Sequence, residues 1–266
     1  MSEGIVSTGD NCRIAYHIDG PDGAPFLILS NSLGTAMAMW EAQMSHFAAH
    51  FRVVRYDSRG HGRSDAPAGS YSIDRLGRDV IELADALGID RFHFCGLSKG
   101  GMVGQWLGWR APERLERLVL ANTSAYMGPP AGWDERIRLV LAAGMGAMTD
   151  AVLERWFTPA FNAEASAALD AVRMMLLATE PQGYAGCCAA IRDMDQRPLL
   201  PLIDVPTLVI AGDADPATPI EHAQLLATGI RGATLHILTA AHLSNVEQPE
   251  AFSKAVLDFC GVGIVL

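Results

Sequence analysis

The amino-acid sequence predicts an α/β fold: a mostly parallel central sheet with helices on both faces and an inserted helical cap. Three observations carry the prediction. Short apolar runs alternate with amphipathic stretches through residues 26–120 and again from residue 207 onward, the order that sandwiches parallel strands between helices. A serine sits in the turn between one such run and the next amphipathic stretch, in Phe-His-Phe-Cys-Gly-Leu-Ser-Lys-Gly-Gly over residues 92–101. From about Tyr126 to Asp195 the alternation stops, and helical segments rich in Met, Trp and Ala take its place. We therefore expect a core of residues 1–125 and 196–266 and a cap of residues 126–195, which leaves from the sheet edge that presents the serine.

Taken in order, residues 11–18 alternate apolar and polar and predict an edge strand, closed by the turn Gly20-Pro21-Asp22-Gly23. Residues 26–29 predict a buried strand that runs into the polar loop Ser30-Asn31-Ser32-Leu33-Gly34-Thr35. Loops at the carboxyl ends of parallel strands are where open α/β sheets place their chemistry, so this loop is a candidate wall of the site. Residues 37–51 have the spacing of an amphipathic helix; His46 and His50 stand four apart on it, but no third metal ligand lies near them. Residues 52–56 form the next strand and end in Asp57-Ser58-Arg59-Gly60-His61-Gly62-Arg63-Ser64, where the glycines beside His61 fit a tight structural turn. A helix over residues 73–87 stops at Gly88. The strand of residues 91–97, the serine turn and a helix up to Pro112 follow, and then a strand over residues 115–120. After the cap, strands are expected at residues 207–211 and 234–238, with helices at 220–230 and 249–259, the last with Pro249 in its first turn.

Composition narrows the function classes. With 266 residues and 50% hydrophobic content, the chain buries a substantial core and reads as one domain with an insertion. A net charge of −10, with no basic run, argues against nucleic acid and against an anionic membrane surface, whereas a small anionic substrate needs only a few local arginines. The five cysteines form no paired framework, and reduced thiols in the cytoplasm are the simpler account. No basic region followed by an apolar core opens the chain, so no signal peptide is expected. No residue cluster demands a metal or an organic cofactor, and a homo-oligomer stays open.

The chemistry follows from Gly96-x-Ser98-x-Gly100. In this spacing the serine takes a strained backbone conformation that exposes its hydroxyl above the sheet, and small residues flank it because the chain doubles back there. A serine hydroxyl needs a base to take its proton and a carboxylate to orient that base. Ser98, an aspartate after a late strand and a histidine after the last strand reproduce the α/β-hydrolase order of triad members. Asp213 and Asp215 compete for the acid; Asp215 is favoured because it lies beyond the strand end, with Pro216 fixing the loop behind it. His242 supplies the base. The backbone N–H groups of Leu33 and Lys99 are the natural oxyanion donors.

The segments 30–35, Arg55 to Gly62, Gly96-Leu97-Ser98 and Ala241-His242-Leu243-Ser244-Asn245-Val246-Glu247 together resemble 3-oxoadipate enol-lactone hydrolases, α/β-hydrolases of aromatic catabolism. The resemblance covers nearly the whole chain and extends to Trp106-Leu107-Gly108 and Gly183-Tyr184-Ala185-Gly186. It implies a carboxylate-bearing enol lactone of the β-ketoadipate pathway as substrate, opened by water to 3-oxoadipate. Trp133 and Arg136 match the family's Trp-x-x-Arg pattern and are the candidates for the substrate carboxylate. One position departs: the family usually carries Met or Leu where this chain has Lys99. A lysine there needs an exit to solvent or an anionic partner, either the substrate carboxylate or an acid of the cap. The same triad would also serve a broad carboxylesterase or perhydrolase, or a carbon–carbon bond hydrolase. A non-catalytic ligand-binding receptor on this fold is the reading from another class. A complete Ser98, Asp215 and His242 set argues against a dead scaffold, and a serine nucleophile argues against haloalkane dehalogenation.

Overall fold

The computed structural model describes residues 2–164 and 166–262. Eight strands form one sheet: β1 (Ser2–Ser7), β2 (Arg13–Asp19), β3 (Phe26–Ser30), β4 (Arg52–Tyr56), β5 (Phe92–Leu97), β6 (Leu115–Ala121), β7 (Thr207–Gly212) and β8 (Thr234–Leu238). Their spatial order is β1-β2-β4-β3-β5-β6-β7-β8. The β1–β2 and β2–β4 pairs are antiparallel, and every pair from β4 to β8 is parallel. The central strands are buried almost throughout, as strands covered on both faces must be.

Eleven α-helices are described: α1 (Met44–Phe47), α2 (Ile73–Ala86), α3 (Lys99–Arg110), α4 (Pro130–Ala143), α5 (Gly146–Trp156), α6 (Pro159–Ala163), α7 (Ala167–Ala178), α8 (Pro181–Asp193), α9 (Ile220–Gly229), α10 (Ser244–Glu247) and α11 (Pro249–Phe259). α3 lies across β3, β5 and β6 with α2 against it, α9 covers β7 and β8, and α11 packs with α10. α2 starts where the Ser72 hydroxyl accepts from Arg75 N–H, and its chain turns away at Gly88, whose φ is 69°.

Two expectations need correction. The edge strand is β1, not the segment around residues 11–18: β2 is an inner strand, paired with β1 on one side and β4 on the other. The Ser-Glu-Gly-Ile-Val-Ser run of β1 is mostly exposed, so it carries little hydrophobic signal. Residues 37–51 are not one amphipathic helix either; a 3-10 segment, Met37–Gln43, precedes the single turn of α1. The segment is tied to its neighbours from outside: Asn245 Nδ2 donates to the Met39 carbonyl at 2.9 Å, and the Trp40 indole N–H donates to Asn31 Oδ1 at 2.9 Å.

Helices α4 to α8 follow β6 and precede β7, and the chain leaves for them and returns at one place. Tyr126 and Asp195 form an antiparallel bridge, and Gln196 N–H donates to Ala125 O at 2.8 Å. Elsewhere these helices touch the core closely: a Cβ on Gly60 would stand 2.4 Å from Gly183 Cα, and Tyr71 N–H donates to Gly186 O at 3.0 Å. No helix among the described residues is long and apolar enough to cross a membrane.

The turn at the head of α3 allows no side chain. A Cβ on Gly100 would lie 2.1 Å from the Ser30 carbonyl oxygen, and one on Gly96 would lie 2.1 Å from Gly100 O. Both obstacles are backbone and neither can rotate away. Gly100→Ala is therefore expected to lose about 3 kcal/mol of stability by overpacking, read as a lower urea midpoint at unchanged slope.

Candidate active site

Ser98 stands between β5 and α3, at the N-cap of the helix, with φ 56° and ψ −115°, a conformation that costs a non-glycine residue about 1–3 kcal/mol. The surroundings hold it there. Ser98 N–H donates to Ala121 O at 2.9 Å, and Thr123 Oγ1 donates to Ser98 O at 2.7 Å. Its hydroxyl lies 2.9 Å from His242 Nε2, and His242 Nδ1 lies 2.9 Å from Asp215 Oδ2. The structure thus brings together Ser98, Asp215 and His242 from the ends of β5, β7 and β8. Asp213 is exposed and makes no contact with His242.

Asp215 is buried and surrounded by donors. Ala217 N–H and Thr218 N–H bond Oδ1 at 2.8 and 3.0 Å, and Thr218 Oγ1 and Asn122 Nδ2 bond Oδ2 at 2.6 and 3.0 Å. Burial pushes its carboxyl upward, but the adjacent His242 and the hydrogen bonds from His242 and Thr218 outweigh that and lower it to about 2. An ionised carboxylate only accepts, so the His242 proton resides on Nδ1 and Nε2 is left to accept from Ser98.

Glu247 and Ser244, in the segment after β8, have structural uses. Glu247 accepts from Ala241 N–H at 2.9 Å and from the Thr158 hydroxyl, and Leu243 N–H donates to Trp156 O at 3.1 Å. Ser244 Oγ donates to Asn122 Oδ1 at 2.5 Å. These bonds tie the His242 loop to the end of α5 and to the strand end that carries Asn122. The Trp156 ring stands against His242, with centroids 6.0 Å apart.

The candidate oxyanion donors are backbone groups. Ser32 O accepts from Thr35 N at 3.3 Å and Thr35 Oγ1 at 3.0 Å, which pins the Ser32–Leu33 peptide. In a trans peptide the N–H points opposite to the C=O. Leu33 N–H makes no hydrogen bond among the described residues. Lys99 N–H belongs to the first turn of α3 and has no intrahelical acceptor.

The Lys99 side chain takes neither of the courses expected of it. It is 1% exposed, so it does not exit to solvent, and its Nζ has no hydrogen-bond partner among the described residues. It also lies outside the cavity beside Ser98. Burial lowers its pKa, opposed by the negative charge that Cys187, Asp79 and Asp57 can carry.

That cavity, about 150 Å³, is shared by Ser98, His242, Leu33, Arg136, Arg155 and Tyr184, with apolar walls that include Met102 and Trp156. Trp133 also reaches it, but its indole N–H donates to Met127 O at 2.8 Å and its ring supports the Arg136 guanidinium at 4.9 Å. The available cations are Arg136 and Arg155, neither of which pairs with a carboxylate among the described residues. Burial lowers the Arg155 pKa and the neighbouring Arg136 lowers it further, as expected where two cations face one space. Both also line an outer groove between α4 and α5. Sequence reasoning did not find Arg155, Tyr184, Asn122 or Thr218; Arg155 stands next to a tryptophan in a helix of unremarked pattern, and the other three become site residues only through the fold.

Residues 25–249 match the α/β-hydrolase fold family. The chain is 43% identical to 3-oxoadipate enol-lactonase 2 of Acinetobacter baylyi over 94% of its own length and 93% of the relative's. A hydrolase from Pseudomonas aeruginosa PA01 superposes with a TM-score of 0.96 at 52% identity, covering 98% of each chain. The enol-lactonase from Burkholderia xenovorans LB400 superposes with a TM-score of 0.95 at 43% identity, covering 97% of this chain and 100% of that one. The chain belongs to the α/β-hydrolase fold family, as a carboxylic ester hydrolase similar over nearly its whole length to 3-oxoadipate enol-lactonases.

Proposed function

We propose that this hydrolase opens 3-oxoadipate enol-lactone to 3-oxoadipate in aromatic catabolism, through an acyl-enzyme on Ser98. The observation that carries the reading is a cavity in which the Ser98 and His242 pair shares space with two arginines that have no acidic partner among the described residues. An uncharged ester gains nothing from two cations without carboxylate partners, whereas a free carboxylate beside the scissile bond is held and oriented by them. Similarity to enol-lactonases supports the same substrate class.

The steps follow from the distances. Ser98 Oγ attacks the lactone carbonyl while His242 Nε2 takes its proton, and Asp215 stabilises the imidazolium. The oxyanion turns toward the N–H groups of Leu33 and Lys99. The ring C–O bond breaks, the enol oxygen takes the proton from His242, and the acyl group stays on Ser98. Water, deprotonated by His242, then attacks the acyl carbon, the acyl–Oγ bond breaks as His242 returns the proton to Ser98, and the enol tautomerises to the ketone, which gives 3-oxoadipate. An enol is a good leaving group, so the acid step asks little of His242.

The proposal extends to organisation and place. Residues 126–195 act as a cap that supplies the substrate-binding arginines, over a core of residues 1–125 and 196–266 that supplies the chemistry, and the protein works in the cytoplasm with a small molecule as its partner. Substituting Arg136 and Arg155 together by Gln is expected to lower kcat/KM on the lactone about 100-fold, the worth of two charge-assisted contacts, while p-nitrophenyl acetate is cleaved at the wild-type rate. Equal losses on both substrates would remove the carboxylate role. Wild-type protein that cleaves many neutral esters but not the lactone would move the assignment to a general carboxylesterase.

A further inference from the structure

His61 is buried, 1% exposed, in the turn after β4, outside the cavity. The turn that carries it is firmly built: the Asp57 carboxylate accepts from Met37 N–H at 2.7 Å and Arg63 N–H at 2.9 Å, and the Arg59 guanidinium grips buried Asp79 at 2.6 and 2.7 Å. From this base the imidazole reaches the loop after β3. Its Nε2 stands 2.9 Å from Gly34 N, and its Nδ1 stands 3.1 Å from Arg59 O.

A carbonyl only accepts and an amide N–H only donates, so one protonation state satisfies both contacts: the proton on Nδ1 and a lone pair on Nε2. Burial lowers the His61 pKa well below its ordinary value, and the buried Lys99 ammonium lowers it further. The neutral ring is therefore the resident form.

Gly34 N–H belongs to the peptide next to the one that carries Leu33 N–H. Thr35 holds the first peptide of this loop by the Ser32 carbonyl, and His61 holds the second by the Gly34 amide. With both flanking peptide planes held, rotation about Leu33 is restricted. We propose that His61 is a positioning residue for the oxyanion hole: its Nε2, fixed to Gly34 N–H, sets the direction of the Leu33 N–H toward the oxyanion formed at Ser98. The inference rests on the acyl-enzyme reading above.

The test compares His61→Leu, which removes the acceptor, with His61→Gln, whose amide oxygen can accept from Gly34 while its NH₂ donates to Arg59 O. A misdirected donor weakens the transition state and not the ground state, so His61→Leu is expected to lower kcat on the lactone by about 10- to 100-fold with KM within about threefold. Affinity for benzeneboronic acid, which adds to Ser98 and places an oxygen in the hole, should fall by the same factor. His61→Gln should recover most of both losses. A merely structural histidine would lower the melting temperature of both variants and leave kcat and boronate affinity of the folded fraction unchanged, and that result overturns the proposal. Should His61→Leu not fold, His61→Asn, too short to reach Gly34, replaces it; equal kcat for the Asn and Gln variants is then the overturning result. Failure of the wild type itself to turn over any ester or take a phosphonate on Ser98 would defeat the underlying reading instead.

Discussion

Ser98→Ala is expected to lower kcat on 3-oxoadipate enol-lactone by about 10⁴- to 10⁶-fold, the loss that follows removal of a triad nucleophile. The residual rate would come from a binding cavity and oxyanion donors that the substitution leaves in place. Alanine also relieves nothing at the backbone, since φ of 56° is as unfavourable for it as for serine. Stability should therefore change little, and the loss belongs to chemistry. Following the disappearance of lactone absorbance for both proteins measures it. A variant retaining a tenth of the wild-type rate would exclude a covalent intermediate on Ser98 and leave a water-only mechanism.

The second large effect is expected at the acid. Asp215→Asn should reduce kcat about 10⁴-fold, because an amide can present its NH₂ to Nδ1 and so favour the tautomer with the proton on Nε2, where the base must accept. Asp213→Asn, at an exposed position two residues away, should leave kcat within about twofold. The pair of variants separates the two candidates that the sequence alone left in competition. A stability signature accompanies the first. The folded Asp215 carboxyl lies at about 2, below its ordinary 3.8, so its ionised form stabilises the fold above pH 4 and that contribution is lost as pH falls toward 2. The shift corresponds to stabilisation on the order of 2 kcal/mol. Asp215→Asn lacks it, so the gap in melting temperature between variant and wild type should narrow on acidification through that window. A constant gap would show that the carboxylate is not stabilised by its partners.

How far the sequence carried these conclusions differs by element. The turn around Ser98 was legible because strand, turn and helix are contiguous and because Gly96 is required by a contact four residues away, at Gly100, although the contact that requires Gly100 is with the distant Ser30. His242 and Asp215 were legible because each lies in a loop at the carboxyl end of a strand whose apolar run is unmistakable. The segment 37–51 was not, since its helical period is real but its tertiary ties, Asn245 to the Met39 carbonyl and the Trp40 indole to Asn31, come from residues 206 and 9 positions away in the chain. β1 was missed because an exposed edge strand needs little hydrophobic pattern when its neighbour supplies the register. Arg155, Asn122 and Thr218 became site residues through tertiary placement, and no local spacing marks them. Trp133 was reached through a resemblance, and the structure gives its indole N–H to Met127, leaving its face to support Arg136.

The bridge between Tyr126 and Asp195 has a practical side. Because departure and return lie side by side, exchanging the intervening helices with those of a relative asks the sheet for no new register and moves no residue of β6 or β7. On the proposed division into cap and core, substrate preference is expected to travel with residues 126–195, with cut points at residues 125 and 196. The transplant has one fixed requirement. Whatever helix replaces α8 must bring glycine to the position of Gly183, because Gly60 on the recipient side leaves no room for a Cβ there, and a donor lacking it would lift the graft off the site it is meant to cover.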